Sequence, residues 1–135
     1  MRGEEYAFSV SVRLTIPAAE EAVRRELAAE GFGVLTEIDV RATLREKLDL
    51  DFRPYRILGA CNPALAHRAL QADPRVGVLL PCNVVLEEDR PGSTTVVFME
   101  PRALMTGEDA ELAAVAGEAS EKLHRVAGRL LARAS

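Results

Sequence analysis

With 135 residues, 48% of them hydrophobic, the chain is long enough to build one domain with a proper core and too short for two comfortable ones. A formal net charge of −4 argues against a protein that grips nucleic acid through its phosphates, because displacing counterions needs a basic surface. No run approaches the roughly 18 apolar residues that cross a bilayer, and Met1-Arg2-Gly3-Glu4-Glu5 lacks the apolar stretch of a signal peptide, so a cytoplasmic single domain over residues 1–135 is expected, with no membrane partner.

From Tyr6 the residues alternate. Tyr6, Phe8, Val10, Val12, Leu14 and Ile16 share one face, and Ser9, Ser11, Arg13 and Thr15 the other, which predicts a half-buried strand. Pro17 suits a first helical position and Gly31 a left-handed stop, so a helix is expected over about Pro17 to Glu30. Phe32 to Val40 reads as a second strand. Val40, Leu44 and Leu48 then recur at helical spacing behind Asp39 as a cap.

Tyr55 to Ala60 reads as a third strand, after which Asn62 can cap and Pro63 can open a helix carrying Leu65, Ala66, Ala69 and Leu70, ended by Asp73-Pro74. Val76 to Leu80 is a continuous apolar run, broken by Pro81 and resumed at Val84; it is expected to be a buried strand with a kink or bulge at Cys82. The turn formers Asp89-Arg90-Pro91-Gly92-Ser93 pair residues 84–88 with 94–100 as a hairpin. The last element is expected to begin at Thr106, with Asp109 completing an approximate capping box, and carries Leu112, Ala116, Ala119, Leu123, Val126 and Leu130 along one stripe. This long amphipathic helix can lie on a sheet in an α+β domain or serve a two-helix dimer contact.

The only two asparagines, Asn62 and Asn83, each follow one of the only two cysteines, giving Cys61-Asn62-Pro63 and Pro81-Cys82-Asn83. Two such steps, each closing an apolar run, predict two backbone positions built alike. In a reducing compartment the cysteines are expected to be free thiols or ligands. Cys61 precedes a helix start, where free backbone N–H groups favour thiolate. If Cys82 lies on a neighbouring strand, the two thiolates with His67, Glu100 or Met99 could hold a zinc or copper ion, or act as a redox or sulfur-transfer pair. Against this stands the plain reading that free cysteine is a small buried apolar residue and Asn-Pro an ordinary cap. No CxxC pattern is present, so no cofactor is assigned and a metal ion remains an open alternative.

His67 and His124 read as solvated, Asp49 and Asp51 as a solvated loop, and Gly31-Phe32-Gly33 lacks dinucleotide-loop spacing. Lysine occurs only at Lys47 and Lys122 and glutamine only at Gln71, a composition that fits a thermophile or an arginine-biased genome.

Gly59-Ala60-Cys61-Asn62-Pro63, Leu80-Pro81-Cys82-Asn83-Val84-Val85 and Glu100-Pro101, in that order, resemble the bacterial and archaeal family known as domain of unknown function 302. The resemblance runs from the first helix to the last. It implies an α+β fold like that of the TATA-binding protein: a curved antiparallel sheet of about five strands, with helices packed on it and a long C-terminal amphipathic helix. It also implies a homodimer. The family pattern has aspartate where this chain has Glu100, and it carries no established activity. The expectation is therefore a non-catalytic module binding a small ligand, a metal or a partner protein near Cys61, Asn62, Cys82, Asn83 and Glu100. The alternative is a thiol-dependent redox or sulfur-handling protein using Cys61 and Cys82.

Overall fold

A computed structural model describes all residues except Met1, Glu4 and Ser135. Its elements are β1 (Arg2–Gly3), β2 (Ala7–Val12), α1 (Ile16–Ala29), β3 (Gly33–Asp39), α2 (Val40–Leu48), β4 (Tyr55–Cys61), α3 (Pro63–Ala72), a 3-10 turn (Pro74–Leu79), β5 (Cys82–Arg90), β6 (Ser93–Met99), α4 (Pro101–Leu104) and α5 (Ala110–Ala134). The strands form one open sheet in the order β1-β2-β6-β5-β4-β3, antiparallel throughout. Five strands carry it, with the two-residue β1 at one edge, in agreement with the α+β fold expected.

Alternation decides which side of the sheet is buried. Phe8, Val10 and Val12 of β2, Leu58 and Ala60 of β4, Val84 and Leu86 of β5, and Val96 and Phe98 of β6 point into one core. There they meet Val23 and Leu27 of α1 and Leu123, Val126 and Leu130 of α5. Removing this apolar surface from water supplies most of the drive to fold. A second, smaller core gathers Leu65 and Ala69 of α3, Val76, Met105, and Leu112, Val115, Ala116 and Ala119 from the first half of α5. The whole predicted stripe of α5 is buried, so that helix serves both cores of its own domain. Asp109 accepts from Leu112 N–H at 2.9 Å, which starts α5 there and not at Thr106.

Three expectations change. Tyr6 lies before β2 and is exposed, while Ile16 opens α1, so the strand is shorter than its alternation. Residues 76–79 are not a strand. Asp73 caps the 3-10 turn by accepting from Arg75 N–H at 3.0 Å, and Pro74 starts it, leaving Val78 exposed. Local capping outcompetes the apolar run because a chain that has just left α3 is beyond the end of the sheet. The sheet irregularities fall at Val34/Thr36 and Glu88/Arg90, whereas Asn83 pairs regularly with Gly59.

The α1–α5 contact is laced by charge. Arg125 binds Glu30 through Nε at 3.1 Å and Nη2 at 2.9 Å; Arg129 reaches Glu26 at 2.6 Å and Glu30 at 2.9 Å. These guanidinium contacts, Arg125's foremost, hold the Glu30 carboxyl below its ordinary range although burial opposes them.

Candidate functional site

β4 ends where β5 begins, and antiparallel pairing sets Ala60 directly opposite Cys82. Cys61 is therefore one residue beyond the partner of Cys82. Because β6 ends at Met99 and pairs antiparallel with β5, Glu100 emerges at the same end of the sheet. The topology thus collects Cys61, Asn62, Cys82 and Glu100 at one sheet end. α3 and α4 start there too, each with its cap directly before a proline: Asn62 before Pro63 and Glu100 before Pro101.

Asn62 does two jobs. Its Oδ1 accepts from Leu65 N–H at 3.2 Å, capping α3, and its Nδ2 donates to the Glu30 carbonyl at 3.2 Å, fastening α3 to the end of α1. Gly31 follows in a left-handed conformation, φ 84°, and a Cβ there would stand 3.0 Å from Asn62 Nδ2. Asn83 is placed differently. It is exposed on the sheet face opposite buried Cys82, and its φ is not positive. The two Cys-Asn steps are not built alike: one is a helix cap, the other a regular strand pair.

Between the two cores lies a narrow apolar cleft. Phe32, Ala60 and Cys82 wall it from the sheet side, Leu65 and Ala69 from α3, Met105 from the end of α4, and Val115 and Ala119 from α5; Cys61 and Asn62 lie on its rim. Its free space of about 20 Å³ suits one water-sized occupant. The gap arises because α5 bridges two hydrophobic clusters and presents alanine at the junction. Both cysteines are free. Burial first, and then the neighbouring Cys61, push the Cys82 thiol up to about 11, so it is a thiol at neutral pH.

The proposed co-ligands do not converge on the thiols. His67 is exposed on α3. Glu100 turns to α5: His124 Nε2 lies 2.8 Å from its Oε1, Ser120 also hydrogen-bonds to it, and Arg102 N–H donates at 3.4 Å. Burial works to raise the Glu100 pKa, but the contacts with His124, Ser120 and Arg102 together hold it below the ordinary value. Among the described residues no group of three or more His, Cys, Asp or Glu is placed to hold a metal ion.

His124 is the residue sequence reading missed. It is half-buried, stacked on Phe8 with centroids 3.7 Å apart, and Phe8 in turn stacks on Phe98 at 5.2 Å. No local pattern links it to Glu100, 24 residues earlier; only the burial of its neighbour Leu123 on the α5 stripe hints that its flank meets the sheet. Ser120, Glu100 and His124 do not form a nucleophilic triad: the serine and the histidine both bond the acid, and among the described residues no hydrogen bond joins His124 to Ser120, whose hydroxyl accepts from Arg102 at 3.3 Å. No helix among the described residues is long and apolar enough to cross a membrane.

The crystal structure of an uncharacterized conserved protein DUF302 from Bacillus stearothermophilus is similar to this chain, with 33% identity, coverage of 93% of this chain and 98% of that one, and a TM-score of 0.83. No curated protein matches. Residues 8–130, from β2 through nearly the whole of α5, match the family described as Domain of unknown function DUF302, and the chain belongs to that family.

Proposed function

We propose that the protein is a homodimeric, non-catalytic binding module whose ligand site is the cleft between the two cores. The observation that carries this reading is the cleft itself: a gap at the sheet end bordered by both cysteine residues and the α3 cap residue, walled by apolar side chains and positioned by regular secondary structure. A catalytic role for the thiols draws less support. Cys82, pushed up to about 11, is a poor nucleophile at neutral pH, and no base is hydrogen-bonded to either sulfur among the described residues.

The dimer half of the reading rests on β3 and α2. From Gly33 to Ile57 no residue is buried, although Leu35, Ile38, Leu48 and Leu50 are 69%, 47%, 61% and 52% exposed. Ordering a backbone costs roughly 1–2 kcal/mol per residue, which a unit with no buried side chain offsets poorly by itself. A second copy is a fitting cover. The segment carries five acids (Glu37, Asp39, Glu46, Asp49 and Asp51) and five bases (Arg41, Arg45, Lys47, Arg53 and Arg56) within a chain of net charge −4, so its copy meets no net repulsion across a two-fold axis.

Two measurements test the halves separately. Sedimentation equilibrium of the native chain is expected to give twice 14.7 kDa, and Leu35→Asp with Leu48→Asp to give the monomer; a native monomer at tens of micromolar removes the dimer. Xenon NMR is expected to show saturable uptake, lost in Ala119→Leu, which fills the cleft; no uptake by the native chain removes the site.

A further inference from the structure

The face of the sheet turned away from α1 and α5 carries an aliphatic row. Strand register sets Ser9 of β2 beside Val97 of β6, Val97 beside Val85 of β5, Val85 beside Ile57 of β4, and Ile57 beside Ile38 of β3. Val97, Val85 and Ile57 alternate with the fully buried Phe98, Val84 and Leu58, while the four aliphatic side chains of the row stay in reach of solvent and belong to neither core. An antiparallel sheet with one solvated face is ordinarily polar on that side, so an aliphatic strip across four adjacent strands marks a surface made to be covered.

Charge and extent select the cover. Short of the bulged hairpin end at Glu88/Arg90, Glu87 is the one charged residue among the described strand positions of this face, and Arg53 meets it at 3.0 Å. A membrane surface or a nucleic acid would call for basic residues there. A second copy of a chain of net charge −4 calls for the opposite, a face on which it does not repel itself. The row ends on β3, so this face and the exposed edge assigned to the dimer make one surface. Five strands about 4.8 Å apart and about 20 Å long span roughly 500 Å² in projection, more than half of the ~800 Å² that each partner gives to a standard interface, and β3 with α2 extends it. Resting on the dimer half of the proposed function, we infer that two copies stack sheet on sheet through this face, on a two-fold axis that runs along the aliphatic row.

Such an axis lays Val97, Val85, Ile57 and Ile38 on their own counterparts and exchanges the rows on either side. Along β5, Glu87 lies two residues to one side of Val85 and the exposed Asn83 two residues to the other. Asn83 of one protomer therefore faces Glu87 of its partner, and its amide donates to that carboxylate. This gives Asn83 a use that its regular pairing with Gly59 within one chain does not.

The test measures the monomer–dimer constant of the full chain by sedimentation equilibrium, native and with Val97→Arg or Asn83→Asp, each checked for fold by circular dichroism. Both positions lie at least two strands from β3 and outside the cleft. Val97→Arg is expected to weaken the dimer at least about 100-fold; Asn83→Asp, which sets carboxylate against carboxylate, is expected to weaken it about 10-fold at pH 7, with the loss relieved in about 0.5 M salt. A dimer unchanged by Val97→Arg overturns the inference and leaves the dimer to β3 and α2. One weakened by Val97→Arg but not by Asn83→Asp overturns the axis along the row. A native monomer removes the dimer half and this inference together, and leaves the cleft to the xenon test. Should Val97→Arg fail to fold, Asn83→Asp decides alone, and an unchanged dimer in that variant overturns the inference.

Discussion

The amide nitrogen of Asn62 donates to the backbone carbonyl of Glu30 at 3.2 Å, joining residues 32 positions apart and fixing the first turn of α3 to the last of α1. The same side chain caps α3. Asn62→Ala removes both bonds, and an N-cap alone is worth roughly 1 kcal/mol, so a loss of about 1.5–2.5 kcal/mol is expected in urea denaturation. Asn62→Asp keeps the cap acceptor but not the donor and is expected to lose about half as much. No loss in Asn62→Asp would show that the contact with Glu30 contributes nothing, and equal losses in the two variants that the cap contributes nothing.

Gly59 is held between Thr36 and Pro81. A Cβ there would collide with Thr36 Oγ1 and stand 2.6 Å from Pro81 Cγ. Gly59→Ala is expected to cost about 2–3 kcal/mol, the range for overpacking a site that cannot yield freely. Adding Thr36→Ala should return part of that loss, as measured by the denaturation midpoint of the double variant. If it returns nothing, Pro81 alone sets the limit.

Acid stability should depend on Glu100. Its folded pKa lies below the ordinary glutamate value, so its contribution is complete above that value and is lost as the pH falls through the depressed one. Glu30, held down by Arg125 and Arg129, acts in the same direction. Native stability is thus expected to fall between about pH 5 and pH 3, and Glu100→Gln to flatten that fall while lowering stability at neutral pH. An unchanged slope in Glu100→Gln would remove the carboxylate from the account.

Thiol reactivity should be split. Raising Cys82 from 9.0 to about 11 lowers its thiolate population near pH 8 by about 100-fold. Burial adds to the delay. Iodoacetamide at pH 8 is therefore expected to label Cys61 first, with Cys82 labelled only as the chain unfolds, as resolved by peptide mass spectrometry. Labelling of Cys82 at the rate of a free thiol would contradict both its burial and its raised pKa.

The elements that carry a local signal were legible in the sequence. Pro17, Asp39 and Asn62 sit at the starts of the helices expected from them, and the Pro91-Gly92 turn closes the β5–β6 hairpin as expected. The stripe of α5 is buried position for position. What failed is where two local signals competed. Residues 76–80 have the composition of a strand, but the Asp73-Pro74 cap lies immediately upstream and won. The site was legible in part. That Cys61 and Cys82 lie at one sheet end follows only from β4 pairing with β5, and the meeting of Glu100 with His124 depends on how α5 crosses the sheet. Neither is encoded within a short window, so neither could be read from spacing. Met105 escaped for the same reason: it reaches the cleft wall because α4 packs against α5, not because of its neighbours in sequence.

The two cores are unequal. Among the described residues, twenty form the cluster between the sheet and α1, and eight form the one beneath α3. Only α5 belongs to both. A domain assembled this way has a weaker compartment hung on a stronger one, and native-state opening should begin in the weaker. α3 can then lift from α5 while β2, β4, β5 and β6 stay closed, and the movement unseats the wall of the cleft without breaking the sheet. Widening of that narrow cleft would then follow the breathing of one short helix, and whatever fills the space would slow the breathing in return.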